Sequence, residues 1–130
     1  MDEKNKDLNV SALSGADLAY LGDAVLEVMV REHLVLKGHS KKEHLSELAL
    51  KFVKASAQSA AFEKIEEALT EEELDVFKRG RNNYHTGNVP KSATPLEYRR
   101  ATGFEALLGY LHLTGQSERL SELFKKAYEL

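Results

Sequence analysis

The spacing of apolar residues along the chain predicts helices from residue 15 to near residue 128. In the segment 18–28, apolar side chains recur every three or four residues, which is the period of a helix with one buried face. The same period returns in the segments 45–53, 60–69, 74–77, 104–111 and 120–124. No segment alternates apolar and polar residues as a half-buried strand does. The sequence therefore predicts an all-α fold.

Local signals place the predicted helix ends. Four residues stand three positions before an acid, which is the spacing of a capping box: Ser14, Ser40, Thr70 and Thr94. Pro95 follows the last of these caps directly, in the first helical position, where its fixed φ is favourable. Gly38 and Gly115 are predicted to end helices. Between residues 80 and 90 the helical period is absent and Asn, Gly and Pro predominate, which predicts a loop.

Length and composition limit the kind of protein. A chain of 130 residues corresponds to one domain, which we predict over residues 13–130 after a flexible tail at residues 1–12. No apolar run is long enough to span a membrane, and the polar N-terminus does not resemble a secretory signal. The chain has no cysteine, which excludes disulfides and thiolate metal sites and fits a cytoplasmic location.

The charge distribution is uneven. Residues 78–100 contain six basic residues and one acid, a net charge of +5, which leaves −8 for the rest because the whole chain carries −3. A basic segment on an acidic body is typical of a surface that binds nucleic acid. A solvated charged surface is the structural alternative.

Gly22 and Asp23 interrupt the apolar pattern of the first helix. Glycine costs roughly 1 kcal/mol relative to alanine within a helix, and an acid near an apolar face is unfavourable unless it is paired. Two unfavourable choices side by side indicate a functional site. The structural alternative is that Gly22 allows close helix packing while Asp23 caps a helix or pairs with an arginine.

Glu105 is a second acid on a strongly apolar helix, with Gly103 and Gly109 nearby. If the two acid-bearing helices pack together, Asp23 and Glu105 could share one pocket. Mg²⁺ commonly uses one or two carboxylates with waters and substrate phosphates. Such a site could hydrolyse phosphodiesters by metal-activated water, although the spacing alone leaves this interpretation open.

The ordered motifs of the chain resemble one known family. The segment 18–28 resembles the signature helix of the ribonuclease III catalytic domain, and the helix that carries Glu105 resembles its second metal-binding helix. The resemblance is closer to Mini-ribonuclease III, the short form that lacks a double-stranded-RNA-binding domain, and no segment after Leu130 is available to supply one. Further matching segments are Lys78-Arg79-Gly80-Arg81-Asn82, Val89-Pro90-Lys91, Tyr98-Arg99 and Phe104-Glu105-Ala106-Leu107-Leu108-Gly109-Tyr110.

This resemblance implies a homodimeric helical bundle of the ribonuclease III endonuclease type. It implies a Mg²⁺-dependent endoribonuclease that cuts both strands of double-stranded RNA, with Asp23 and Glu105 as catalytic and metal-binding acids. The expected substrate is the precursor of large-subunit ribosomal RNA, and a large-subunit ribosomal protein is a possible partner. The residues expected to bind RNA are Lys78, Arg79, Arg81, Asn82, Asn83, His85, Lys91, Arg99 and Arg100.

The chain departs from full-length ribonuclease III at two acidic positions, where it has Ala19 and Thr102. Fewer protein ligands would leave more water around the metal. The departure also leaves open a non-catalytic double-stranded-RNA-binding or ribosome-associated module with the same fold. A helical interaction dimer with an acidic protein partner is a third interpretation. Glu27, one turn after Asp23, is interpreted as a solvated or outer residue of the acidic site.

Overall fold

The structure, a computed structural model, describes residues 9–82 and 91–130 and is helical throughout, with no strand in those two ranges. This confirms the predicted all-α fold. A short 3₁₀ turn at Val10–Ala12 precedes the first helix. The described ranges contain six α-helices: α1 Gly15–Leu36, α2 Lys42–Val53, α3 Ala55–Ile65, α4 Glu71–Arg81, α5 Pro95–Leu113 and α6 Ser117–Ala127, with a second 3₁₀ turn at Glu66–Ala68.

Helix α5 forms the centre of the bundle. It packs most extensively on α1, and then on α4, α3 and α6. Its middle is buried from all sides, because Phe104, Leu107, Leu108 and Leu111 have no exposed surface. A helix that is apolar around most of its circumference must be enclosed by other elements. The two acid-bearing helices α1 and α5 are therefore direct neighbours, which the sequence could only assume.

Local signals in the sequence account for five of the twelve helix ends in the described ranges. Thr70 and Thr94 each accept a hydrogen bond from the backbone N–H three residues later, and the acid at that position accepts one from the threonine N–H. Ser14 accepts from the Asp17 N–H at 3.0 Å. Gly38 and Gly115 have positive φ, at 93° and 71°, where α1 and α5 end.

One predicted cap is wrong. Helix α2 begins at Lys42 with Lys41 as its N-cap, and the Lys41 side chain makes no capping hydrogen bond, so Ser40 lies one residue too early to cap it. Helix α5 runs unbroken from Pro95 to Leu113, through Gly103.

A buried ion pair ties α4 to α6. Glu73 is only 4% exposed, and its two carboxylate oxygens accept from Arg119 Nε at 2.9 Å and from Arg119 Nη2 at 2.8 Å. Arg119 also donates to the Ala68 carbonyl oxygen at 2.7 Å. These bonds hold the pKa of the Glu73 carboxyl below its usual value, chiefly through Arg119. The glutamate that caps α4 therefore also joins the last helix to the bundle.

None of the helices in the described ranges is long and apolar enough to cross a lipid bilayer. The boundary expected at residue 13 stays a prediction, since residues 1–8 lie outside the described residues. Val10 already packs against the core.

Candidate active site

Helices α1 and α5 touch backbone to backbone where they carry their acids. A Cβ atom at Gly22 would lie 1.6 Å from the carbonyl oxygen of Glu105, and one at Gly109 would lie 2.1 Å from the carbonyl oxygen of Leu18. Real Cβ atoms never come so close to another heavy atom, so both positions require glycine. The structural interpretation of Gly22 is thus correct, and it serves the site, because this contact brings Asp23 and Glu105 together.

Asp23 and Glu105 form an acidic pair at this crossing. Asp23 is exposed and Glu105 is partly buried, and the two carboxyl groups are close enough for the charge of Asp23 to raise the pKa of Glu105. None of the ion pairs between described side chains includes either acid. The alternative in which Asp23 pairs with an arginine or caps a helix is therefore not what the structure contains.

The environment of Glu105 favours its neutral form. Burial is the main cause that raises the pKa of Glu105 from its ordinary 4.5 to about 8. A hydrogen bond from Gln58 opposes this shift, whereas the charge and hydrogen bond of Asp23 add to it. Removing an ionised carboxylate from water and placing it beside a second acid both disfavour its charge. A pKa this far from its usual value is typical of functional sites.

Side chains from two other elements surround the pair. Gln58, on α3, donates from Nε2 to Glu105 Oε2 at 3.2 Å and to the Val53 carbonyl oxygen at 2.8 Å. Tyr128, after α6, donates a hydrogen bond from its hydroxyl to the carbonyl oxygen of Phe52, the residue before Val53, at 2.9 Å. Burial and then the charge of Glu105 raise the pKa of Tyr128 well above its usual value. The connection between α2 and α3 is thus fixed against the acidic pair by hydrogen bonds.

A cleft of about 430 Å³ opens beside Glu105. One wall comes from the end of α2 and the start of α3, and includes Lys54 and Gln58. The other comes from α5 with Tyr98 and from the residues before it, which directly follow Lys91. The end of the predicted basic segment therefore lies at the same cleft as the acid.

Comparison with known proteins agrees with this geometry. The ribonuclease III domain family matches residues 16–116, which include both acids. The chain belongs to the ribonuclease III family. It is 50% identical over 119 residues to Mini-ribonuclease 3 of Symbiobacterium thermophilum, covering 92% of this chain and 91% of that one. It is 44% identical over 119 residues to Mini-ribonuclease 3 of Streptococcus pneumoniae, covering 89% and 91%.

A crystal structure of a Fusobacterium nucleatum protein superposes with a TM-score of 0.79 at 33% identity, covering 86% of this chain and 90% of that one. Membership of the ribonuclease III family confirms the resemblance read from the motifs and the helical fold expected from it. It also confirms the expected enzyme class, an endoribonuclease specific for double-stranded RNA.

The two acidic positions that depart from full-length ribonuclease III are filled by ordinary packing residues. Ala19 is buried at 7% exposure. Thr102 donates its hydroxyl to the Tyr98 carbonyl oxygen at 3.0 Å, within its own helix. Glu27 forms an ion pair with Arg31 at 3.2 Å on the outside of α1. Among the described residues, the candidate site therefore has two carboxylates, those of Asp23 and Glu105.

The residues expected to bind RNA differ in exposure and in their partners. Lys78, Asn82 and Lys91 are exposed. Arg79 and Arg100 have structural partners, since Arg79 donates to the Leu13 carbonyl oxygen at 3.0 Å and Arg100 pairs with Glu63 at 2.7 Å.

Arg81 and Arg99 are partly buried. Arg81 donates to Asn82 at 3.1 Å and lies over the Phe77 ring. Asn83 and His85 lie outside the described residues.

Sequence reasoning missed two residues of this site, Lys54 and Gln58. Both lie in a segment whose apolar period is weak, so nothing local separated them from the polar face of a helix. Their position depends on how α3 packs against α5. This packing brings Gln58 into contact with Glu105, which lies 47 residues later in the chain.

Proposed function

We propose that this chain hydrolyses phosphodiesters of double-stranded RNA with Mg²⁺ held by Asp23 and Glu105, as a homodimer in the cytoplasm. We propose further that its natural task is trimming the ends of large-subunit ribosomal RNA precursors. The observation that carries the proposal is the pair of carboxylates joined at the crossing of α1 and α5, without a cationic partner among the described residues.

The side chains present fit a hard divalent cation. Both are carboxylates, and Mg²⁺ prefers oxygen ligands and commonly keeps several waters. The described residues contain no group of three or more metal-binding side chains, so waters and RNA phosphate oxygens would complete the coordination. A bound cation would also favour the ionised form of Glu105, which its surroundings otherwise disfavour.

Each part of the site has a separate role in hydrolysis. When bound, Mg²⁺ supplies an activated water and stabilises the leaving oxygen. Asp23 and Glu105 fix its place at the helix crossing. Lys54 and Lys91 supply positive charge at or next to the cleft, where phosphates of the duplex would lie. Lys78 and Asn82 are exposed at the end of α4 and would contact other phosphates of the duplex.

The homodimer is supported by an exposed apolar face on α1. Tyr20 is 86% exposed and Val28 63% exposed in the single chain. Between them, Leu21 and Ala24 line an apolar cavity of about 290 Å³. Exposed apolar patches of this kind mark interaction sites, and a dimer would provide two acidic pairs, one for each strand of a duplex. The ribosomal protein partner remains a proposal from the family resemblance alone.

The catalytic proposal is tested with a long RNA duplex and a matched single strand, in Mg²⁺ and in excess chelator. We expect duplex cleavage in Mg²⁺ alone, and a loss of at least about 100-fold in Asp23→Asn and in Glu105→Gln, because each removes one of two protein ligands. Glu27→Gln is the matched control, since it removes an acid from the same helix without touching the pair. Cleavage near the wild-type rate in either acid variant would refute the assignment.

A further inference from the structure

Gln58 is a buried glutamine whose amide is only half used. Its side chain is 3% exposed, within the apolar contact of α3 with α5. The Nε2 group donates to two acceptors, the Val53 carbonyl oxygen and Glu105 Oε2. Because both partners are acceptors, they fix which end of the amide points toward them.

The other end of the amide has no partner. Gln58 Oε1 is buried and accepts no hydrogen bond from the described residues. A buried acceptor without a donor lowers stability, whereas an apolar side chain of the same shape would not. Gln58 is thus an unfavourable choice for packing alone, and such choices are concentrated at functional sites.

The contact that Gln58 makes lies where the family's additional acids are missing. Ala19 and Thr102 supply no carboxylate to the site, and no described lysine or arginine forms an ion pair with Glu105. A free glutamate side chain rotates about three bonds. With one carboxylate oxygen held by Gln58 and the amide itself anchored on the α2–α3 connection, Glu105 keeps one orientation beside Asp23.

We propose that Gln58 is a positioning residue that orients the Glu105 carboxylate for divalent cation binding. The inference rests on the proposed function, since it takes Glu105 as a ligand. Hydrogen-bond partners of metal ligands typically contribute 10-fold to 100-fold to metal affinity or activity. If the hydrogen bond from Gln58 to Glu105 is lost, we expect a weaker cation site in a protein that is folded and of similar stability.

The test is Gln58→Met, which keeps the length of the side chain and removes both polar ends. We expect the melting temperature to change little, because removing the unpaired Oε1 offsets the loss of the two hydrogen bonds that Nε2 donates. Isothermal titration of the RNA-free protein with Mn²⁺ or Mg²⁺ should show affinity weaker by about 10-fold or more. In cleavage assays, the half-saturating Mg²⁺ concentration should rise by a similar factor, while kcat at saturating Mg²⁺ and the KM for duplex stay near wild type.

The matched control is Gln116→Met. The Gln116 side chain donates a hydrogen bond to Thr114 at the end of α5, away from the cleft. This variant should bind the cation as the wild type does. Unchanged cation affinity in folded Gln58→Met would overturn the inference, as would an affinity loss that follows a fall in melting temperature. If Gln58→Met does not fold, Gln58→Asn decides the matter in the same titration, because it stays polar but is too short to reach Glu105.

Glu105→Gln separates this inference from the function on which it rests. If Glu105→Gln loses cation binding and Gln58→Met does not, the role of Gln58 is wrong and the metal site stands. If Glu105→Gln itself binds the cation normally, the proposed function is wrong.

Discussion

At the residue scale, the proposed active site combines one exposed acid with one acid in an unfavourable environment. Asp23 is exposed, whereas burial raises the pKa of Glu105 to about 8. The neutral form of Glu105 therefore predominates in the metal-free protein at neutral pH. A divalent cation must displace this proton before it gains the second carboxylate, so cation binding and proton release are coupled.

The raised pKa of Glu105 predicts how stability depends on pH. An acid whose pKa is higher in the folded protein stabilises the fold fully below its unfolded value, near 4.5, and this contribution is lost as pH rises through about 8. In chelator, the free energy of unfolding should therefore fall between pH 5 and pH 8 more in wild type than in Glu105→Gln. Urea unfolding at several pH values measures the difference. Parallel curves for the two proteins would contradict the assigned pKa.

The acids themselves could be predicted from the sequence, but their partners could not. Gly22, Asp23 and Glu105 each break a local rule within an apolar helix, and this can be seen without a fold. The Gln58 side chain becomes an unfavourable choice only when α3 packs on α5 and buries its amide. A glutamine on an exposed helix face would be ordinary. The wrong prediction of a cap at Ser40 has a local cause, since α2 begins one residue later than the capping spacing indicates.

At the element scale, the fold depends on the contacts that join the shorter helices to one another around α5. Helix α4 is fixed at its N-terminus by the capping box of Thr70 and Glu73. The same glutamate binds Arg119 on α6, at a separation of 46 residues. The capping role was readable from the sequence because it is local, whereas the ion pair was not. The buried carboxylate of Glu73 thus caps the start of α4 and also binds an arginine near the start of α6.

Arg119→Met should destabilise the protein by about 3–5 kcal/mol, because it leaves the Glu73 charge buried without its partner. Arg31→Met is the matched control, since the Arg31 side chain is 74% exposed in its pair with Glu27. Exposed pairs of this type contribute at most about 1 kcal/mol. Chemical unfolding followed by circular dichroism compares the two variants. Equal losses would show that the α4–α6 ion pair does not stabilise the fold.

At the scale of the whole molecule, one acid of the pair, Asp23, and the exposed apolar face both belong to α1. Asp23 lies between Tyr20 and Val28, the two strongly exposed apolar residues of that segment. A second copy that covered this face would therefore place its own α1 next to the first. The cleft beside Glu105 is lined by residues of α2, α3 and α5 rather than by this face. Dimer contact and access of RNA to the cleft are thus compatible.

Val28→Asp should convert the dimer to a monomer, because it places a charge in the proposed apolar interface while Val28 is 63% exposed in the single chain. Sedimentation equilibrium measures the mass, and circular dichroism checks that the helices remain. Leu36→Asp is the control, since Leu36 is 79% exposed at the end of the same helix and does not line the apolar cavity. A Val28→Asp protein of dimeric mass would refute the proposed interface.

The backbone contact at Gly22 and Gly109 also limits how this enzyme can be altered. Most packed cores accept paired volume changes, in which one side chain grows while its neighbour shrinks. No such compensation exists where two backbones meet, because neither position has a side chain to exchange. Random mutagenesis for heat resistance or new substrates should therefore yield accepted changes around the cleft and on the outer helices. The separation of the two carboxylates would stay the same in every active variant.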